Sequence, residues 1–458
     1  MPALPTLPTR DELRALLTLA VPVVVVQVGM MMMGVVDTIM VGHLNAEALA
    51  SVALGNLYFF GVAIFGMGAL MALDPIVAQA VGAQDEPAIA RGLQRGLLIS
   101  LVLAVPAMLL MLPVRTVLEW LRQPAEVIPL AGTYVGLVLP GVLPFLAFGV
   151  LRQTLQAMGR MRPIVLTIVA ANLLNIGLNW VLIFGHLGAP PLGVAGSAWA
   201  TTISRWAMVL LLGGLGWPML RRHLSTFRPE VLHLRPLGRM LRLGAPIGVQ
   251  LQFEYTAFGL TGVLIGMLGV DQMAGHQVAL NLASLTYMVP LGVSAAAAVL
   301  VGQAVGRDDP LAARRSARTA LIVGAGFMLV TAAMFLTMPR VFAGLYTNSG
   351  AVLLVAASLL PLAGLFQVFD GIQVVTSGIL RGLGDTRSPM IINLVGFWGV
   401  GIPAGLLLGF TAGMGAQGLW WGLVLGLAAV AVILLGRLRY RLRTRLGRVV
   451  IDDHVHTP

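Results

Sequence analysis

The sequence predicts an all-α membrane protein with twelve transmembrane helices in two six-helix bundles related by a parallel internal repeat. Three observations carry this. Apolar residues make up 58% of the 458 and charged residues only 10%, more hydrocarbon than one soluble core can hide. The apolar residues fall in runs of about 20 or more, the length that takes a helix across a bilayer core of about 30 Å. The chain also repeats itself at a fixed offset of 224: Pro22 meets Pro246, Gly42 meets Gly266, and Gln79-Ala80-Val81-Gly82 meets Gln303-Ala304-Val305-Gly306 (246 − 22, 266 − 42 and 303 − 79 are each 224).

Taken in order, the first run, 13–40, follows a short polar leader without a small-residue cleavage site, so it is expected to stay as the first helix. The second, 48–80, ends in the repeated Gln-Ala-Val-Gly block. The third, 93–113, holds the charge-free Leu97 to Leu112; the fourth, 127–150, stops before Arg152; the fifth, 163–185, is free of charge; and the sixth, 193–218, runs up to an Arg-rich segment. The second half gives 239–267, 272–304, 316–338, 351–379, 389–410 and 415–436. These runs are too long and uniform for the short alternating strands of a β-barrel. Six is even, so both halves enter from the same side, as parallel repeats about an axis along the membrane normal, and a cavity is expected where the bundles meet. The domains read as a first lobe (1–218), a cytoplasmic linker (219–238), a second lobe (239–436) and a basic cytoplasmic tail (437–458).

Composition also excludes functions. The chain has no Cys, which removes disulfides, thiolate nucleophiles and Cys-ligated zinc or iron–sulfur clusters. Every one of its 29 basic residues is Arg, so neither a Walker A lysine nor Schiff-base chemistry is available. Neither His-Glu-x-x-His nor Gly-x-Ser-x-Gly occurs, and no enzyme signature is found. The net charge of +11 does not indicate nucleic acid, because Arg follows the loops of one side: Arg91 and Arg95, Arg152 to Arg162, Arg221 to Arg242, Arg307 to Arg318, Arg381 and Arg387, and Arg437 to Arg448. The opposite loops hold only Arg115, Arg122 and Arg340. By the positive-inside rule both termini and the Arg-rich loops are cytoplasmic, with the tail expected against anionic headgroups.

Against this apolar background, ionisable residues at membrane depth stand out, since a charge at the bilayer centre costs about 3 kcal/mol or more unless paired or hydrated. Asp37, Asp74, Glu254 and Asp370 qualify. Each either snorkels to a helix end or pairs with the intramembrane Arg205, or lines a polar cavity. Polar stripes favour the cavity: Gln367, Asp370, Gln373 and Ser377 on the tenth run, Gln250 and Glu254 on the seventh, and His276, Gln277, Asn281 and Ser284 on the eighth. In the first half Asn172, Asn175 and Asn179 form a stripe that could face Asp37, either as hard oxygen ligands for a small cation such as Na⁺ or as interhelical hydrogen bonds. Arg205 is expected to neutralise Asp74 or an interfacial headgroup. Met30 to Met33 offer either a soft adaptable wall or ordinary gap filling.

At these residues the chain resembles the multidrug and toxic compound extrusion (MATE) family, NorM branch, over nearly its whole length. The matching stretches are Gly34-Val-Val-Asp37-Thr-Ile-Met-Val-Gly42, Asn175-Ile-Gly-Leu-Asn179-Trp180, Phe253-Glu254, His276-Gln-Val-Ala-Leu-Asn281 and Asp370-Gly-Ile-Gln-Val-Val-Thr-Ser-Gly-Ile-Leu-Arg381-Gly382. The resemblance implies two six-helix lobes flanking a cavity, no cofactor, and export of amphipathic cationic drugs or dyes in exchange for Na⁺ or H⁺ from a bacterial inner membrane, by a monomer. It implies a first-lobe coupling site at Asp37 with Asn175, Asn179 and Thr201 and a second-lobe site at Glu254 and Asp370, either one open to Na⁺; the polar stripes and the Met run add Gln250, Phe253, Gln277, Asn281, Gln367 and Met33 as expected substrate-cavity residues. Asp74 departs from the pattern. A lipid-linked saccharide flippase of the same superfamily, an intramembrane transferase and a plain Na⁺/H⁺ exchanger are the other readings. The first would line its cavity with cations and the second needs a metal-binding acidic motif or a His nucleophile.

The Arg asymmetry yields a direct test. In this Cys-free chain Phe227→Cys, beside Arg228, is expected to resist an impermeant thiol reagent applied outside intact cells and to react in everted vesicles; labelling from outside overturns the topology.

Overall fold

The runs of apolar sequence become helices because a backbone in hydrocarbon must satisfy its own N–H and C=O groups. The structure is a computed structural model describing residues 8–452, so residues 1–7 of the first lobe and 453–458 of the basic tail lie outside it. Twelve long helices follow in order: α1 (Arg10–Gly42), α2 (Ala46–Gly82, re-formed after a break at Met71 and Ala72), α3 (Glu86–Met111), α4 (Val127–Ala157), α5 (Met161–Phe184), α6 (Val194–Leu224), α7 (Leu234–Gly266), α8 (Val270–Gly306), α9 (Pro310–Thr337), α10 (Gly350–Gly382), α11 (Arg387–Thr411) and α12 (Gly415–Arg443). Each matches one expected run. Eleven are long and apolar enough to cross a membrane. The exception, α7, has the length, but Gln250, Gln252 and Glu254 dilute its apolar character.

Helix starts and stops follow local chemistry. Thr9 and Glu12 form a reciprocal capping box at α1: Thr9 N–H donates to Glu12 Oε2 (3.0 Å) and Glu12 N–H to Thr9 Oγ1 (3.3 Å). The repeated Gln-Ala-Val-Gly block proves to be a helix stop. Gln84 and Asp308 each take a left-handed φ of 56°, Asp85 N–H reaches Ala80 O (2.9 Å) and Asp309 N–H reaches Ala304 O (3.0 Å), closing the last turns of α2 and α8. Asp85 and Asp309 then cap α3 and α9 through the Ala88 (3.0 Å) and Ala312 (2.9 Å) amides.

The chain divides into two compact units. One is Val25–Gly248 with the chain from Ile451 on; the other is Val249–Val450 with the chain up to Val24. The first part of α1 thus counts with the second repeat and the first part of α7 with the first, each changing over two residues after its proline, Pro22 or Pro246. Equivalent glycines make these packings possible. A Cβ on Gly68 would lie 2.6 Å from Gly248 Cα, and one on Gly292 would lie 3.1 Å from Val24 N; both partners and both glycines are 224 apart (248 − 24 and 292 − 68).

In the second unit, α11 and α12 meet backbone to backbone. Gly418, Gly422 and Gly426 recur every four residues on α12, and any Cβ there would strike the backbone around Leu408, Gly405 and Gly401. The facing glycines of α11 are spaced five, four and four apart (396, 401, 405, 409). A π-helical segment, Val395–Gly401, absorbs the extra residue and keeps Gly396 on the shared face.

The basic tail is tied to the rest of the protein by ion pairs and a backbone hydrogen bond. Arg437 Nη2 lies 2.8 Å and Arg441 Nε 3.7 Å from Asp385 Oδ2, so these two arginines turn inward rather than to headgroups. Farther on, Arg239 Nη1 donates to Ile451 O (2.9 Å), and Asp452 accepts from Arg91 Nε and Arg95 Nη2, each at 2.7 Å. Burial pushes the Asp452 carboxyl up, but hydrogen bonding to Arg95 and the charges of Arg95 and Arg91 outweigh it and hold the group below the usual carboxylate range.

Two outcomes are expected. Gly422→Ala destabilises the detergent-purified protein by about 1–3 kcal/mol, as an overpacked interface does, and so lowers its thermal midpoint, whereas Gly436→Ala, where an added Cβ meets nothing within 4 Å, leaves the midpoint unchanged or raised. Because the folded pKa of Asp452 is lowered, its ion pairs stabilise the docked tail above the ordinary carboxylate range and fade as pH falls through the depressed value. Amide exchange at residues 448–452 should be slow at neutral pH and fast at all pH in Asp452→Asn.

Candidate functional site: buried carboxylates in two bundles

Each unit buries carboxylate chemistry among polar side chains drawn from several helices. In the first, Asp37 of α1 is only 2% exposed. Asn179 Nδ2 donates to its Oδ1 (2.6 Å) and Thr201 Oγ1 to its Oδ2 (2.7 Å), while Asn179 Nδ2 also reaches Asn175 Oδ1 (3.2 Å). Asn175 and Asn179, four apart on α5, share a face; all three partners are buried. Asn179 Oδ1 and Asn175 Nδ2 have no partner, a cost of about 1–3 kcal/mol for each buried group and an opening for a guest. The set offers a carboxylate, an amide oxygen and a hydroxyl, hard oxygens that suit a proton or a small cation. Asn172 is not part of it. Its Nδ2 donates to Gly29 O (3.0 Å) and Ile168 O (2.9 Å), tying α5 to α1 instead.

Arg205 corrects the expectation that it neutralises Asp74 or a headgroup. One turn past Thr201 on α6, it is 6% exposed and lies over the Phe59 ring at 3.8 Å, with Phe145 at 5.3 Å, and the charges acting on it are those of Asp37 and Tyr134. A desolvated guanidinium gains about 2 kcal/mol from such a ring. Tyr134 of α4 is fully buried and donates to Asn56 Oδ1 (3.1 Å); a Cβ on Gly55 would collide with its ring. Asp74, at the start of the re-formed α2, is buried, and its charge is not among those acting on Arg205.

In the second unit Asp370 of α10 is buried, and Glu254 of α7 lies close enough for their charges to interact. Tyr287 of α8 is within electrostatic reach of both and of Arg381. Gln367, one turn before Asp370, accepts from Thr286 (2.5 Å) and Thr331 (3.3 Å), and its Nε2 is unpartnered. Gln373, one turn after, donates to Asn393 (2.9 Å). The α10 stripe is therefore polar and buried as expected. The α8 stripe splits. His276 is buried and accepts from Trp420 Nε1 through Nδ1 (3.2 Å), while Gln277 and Asn281 are exposed on the other side of the helix. Gln250 and Met33 are buried; Phe253 is partly exposed, its carbonyl accepting from Trp398 Nε1 (3.1 Å). Among the described residues no group of three or more His, Cys, Asp or Glu could hold a metal ion.

Sequence reasoning did not reach Tyr134, Phe59, Phe145 or Tyr287. The signal was present: the chain has only 6 Tyr, and four of them (Tyr58, Tyr134, Tyr255 and Tyr287) sit inside apolar runs where a hydroxyl needs a partner.

The MatE family profile matches this chain twice, over residues 22–181 and 246–407, starting 224 residues apart (246 − 22) like the repeat itself. The chain is 38% identical to the multidrug resistance protein NorM of Burkholderia vietnamiensis over 429 residues, 92% of each chain, and 39% identical to a probable NorM of Burkholderia mallei over 92% of this chain and 91% of that one. Among solved structures, the eukaryotic MATE transporter AtDTX14 superposes with a TM-score of 0.87 at 26% identity, covering 94% of this chain and 98% of that one. Twofold profile match, full-length NorM likeness and shared fold lead to one statement: the chain belongs to the MatE family, in its NorM branch.

Proposed function

We propose that this protein is a secondary active multidrug efflux transporter of a bacterial inner membrane, exporting small amphipathic organic cations in exchange for Na⁺ or H⁺ by alternating access. The observation that carries the reading is the buried Asp37–Asn179–Thr201 cluster with its unpartnered amide atoms. A carboxylate sealed at membrane depth is costly unless its charge is used. The names of the NorM relatives support multidrug efflux, and their bacterial sources support the inner membrane. Asp37 with Asn175, Asn179 and Thr201 forms one coupling site, and Glu254 with Asp370 the other. Gln250, Phe253, Gln277, Asn281, Gln367 and Met33 contact the substrate. The protein works as a monomer with both termini cytoplasmic and needs no cofactor.

The physical cycle makes no covalent bond to the exported molecule. A carboxylate that binds a proton or Na⁺ no longer attracts an organic cation, so the coupling ion and the drug compete, and each biases the inward or outward state only by its differential affinity for the two. Everted vesicles test this: dye accumulation should follow an imposed Na⁺ gradient or pH gradient and vanish with neither. Accumulation indifferent to both contradicts the reading.

Asp37→Asn, which keeps size and removes charge, is expected to leave protein amounts normal and reduce export to the level of cells without the transporter; unchanged export makes Asp37 structural. Glu254 and Asp370 are expected to act as a unit. Glu254→Gln and Asp370→Asn should each depress dye export and shift its pH dependence, with the double variant little worse than the worse single one. Losses that multiply, with unmoved pH profiles, point instead to two separate structural carboxylates.

A further inference from the structure

We propose that Arg205 is the fixed counter-charge of the first carboxylate site, caged so that its positive charge weakens the hold of Asp37 on the exchanged cation and helps release it. The inference rests on the transport reading above and assigns a specificity-determining role to a residue outside its two coupling sites.

Geometry carries it. Thr201 and Arg205 are four apart on α6 and share a face; the Thr201 hydroxyl donates to Asp37, which sets that face toward the carboxylate. The guanidinium is held from the sides. It lies on Phe59 at 3.8 Å, with Phe145 at 5.3 Å, and the two rings brace each other edge to face at 5.6 Å. Gly141 leaves room for the stem, since a Cβ there would sit 3.1 Å from Arg205 Cδ. Yet Nη1 has no hydrogen-bond partner. The cage fixes the position of the charge and leaves its field in place, and a guanidinium stays charged in any accessible pH range.

The consequence is electrostatic. With Asp37 ionised, the pair is neutral. When Asp37 takes up a proton, Na⁺ or the head of an organic cation, the cluster becomes singly positive in a medium of low dielectric. The charged and titratable groups facing Asp37 are few: Arg205 from α6 and Tyr134 from α4, while α5 contributes only the neutral Asn175 and Asn179, and Asn56 of α2 acts through Tyr134. Arg205 is thus the one full charge set against a bound cation there. The other site has the opposite arrangement, since the charge acting on Asp370 is the like charge of Glu254. Like charge strengthens cation uptake. The two carboxylate sites therefore differ in affinity, with the Glu254–Asp370 site loading its cation first and the Asp37 site releasing it readily.

The test compares Arg205→Met, which keeps contact with the rings, with Arg205→Lys, which keeps the charge. Ethidium export is measured in everted vesicles across a pH series without Na⁺ and across a Na⁺ series at fixed pH. Arg205→Met should move the half-effective cation concentration about tenfold lower, one pH unit toward alkaline or a tenfold lower Na⁺, while Arg205→Lys stays near the parent. The same series is read on purified protein as the cation-dependent shift of the thermal midpoint and as ethidium binding by fluorescence polarisation. In the Asp37→Asn background the Arg205→Met shift should vanish from both. A half-point unmoved by Arg205→Met, or a shift that persists without the Asp37 charge, overturns the proposal. If Arg205→Met does not fold, Gly141→Ala, which displaces the guanidinium, should give a smaller shift of the same sign. If the parent exports nothing under either gradient, the transport reading fails, and the purified-protein measurements still decide whether Arg205 opposes cation binding at Asp37.

Discussion

A polar group placed in hydrocarbon must find its partner inside the protein, and this single cost shapes every level of the molecule. It makes the backbone helical over nearly its whole described length. It brings α11 and α12 together on glycine, because without a hydrophobic drive between helices only close backbone packing holds them. It also makes the few intramembrane charges informative. Asp37 is acceptable where it is because two hydrogen bonds meet it and the charge of a caged guanidinium acts on it, and Arg205 because rings meet it and the charge of a carboxylate acts on it.

The two halves use one structural vocabulary for the scaffold and different chemistry for the sites. The helix stop after Gly82 recurs after Gly306, with a left-handed residue at the equivalent position, Gln84 or Asp308, and the same capping Asp. The glycine contacts at Gly68 and Gly292 are also counterparts. At the sites the symmetry ends. The first bundle surrounds one acid with amides, a hydroxyl and an arginine; the second places two acids and a tyrosine within reach of each other. In the proposed cycle, a repeated scaffold with unequal charge environments would give the two sites different cation affinities, one suited to loading and the other to release.

Much of this was legible in the sequence because its signals are local. Runs of hydrocarbon mark helices, including α7, whose polar residues make it the least apolar of the twelve. Asn175 and Asn179 share a face by their spacing alone, and Asp37 and Thr201 were expected beside them. Asn172 misled because a three-residue step turns it away by about 60°, enough to bring it to the Gly29 carbonyl. His276 and Gln277, adjacent in sequence and so about 100° apart on the helix, end up one buried and one exposed. The Arg205 cage was not legible, since Phe59, Phe145 and Arg205 come from three helices and no spacing links them. The π-helical turn of α11 had a trace in the five-residue gap between Gly396 and Gly401, whose meaning depends on the facing glycines of α12. The inward turn of Arg437 and Arg441 was hidden by the same limit, because Asp385 lies some fifty residues away in sequence.

The central claim is that buried carboxylates exchange an inorganic cation for an organic one, and simultaneous measurement of both fluxes tests it most directly. In proteoliposomes of defined orientation, with ethidium followed by fluorescence and internal pH and Na⁺ by trapped indicators, dye movement one way should be accompanied by proton or Na⁺ movement the other way. Both fluxes should stop together when Asp37 and Asp370 are neutralised. Dye flux that proceeds without any counter-flux of H⁺ or Na⁺, or survives loss of both carboxylates, would contradict the account.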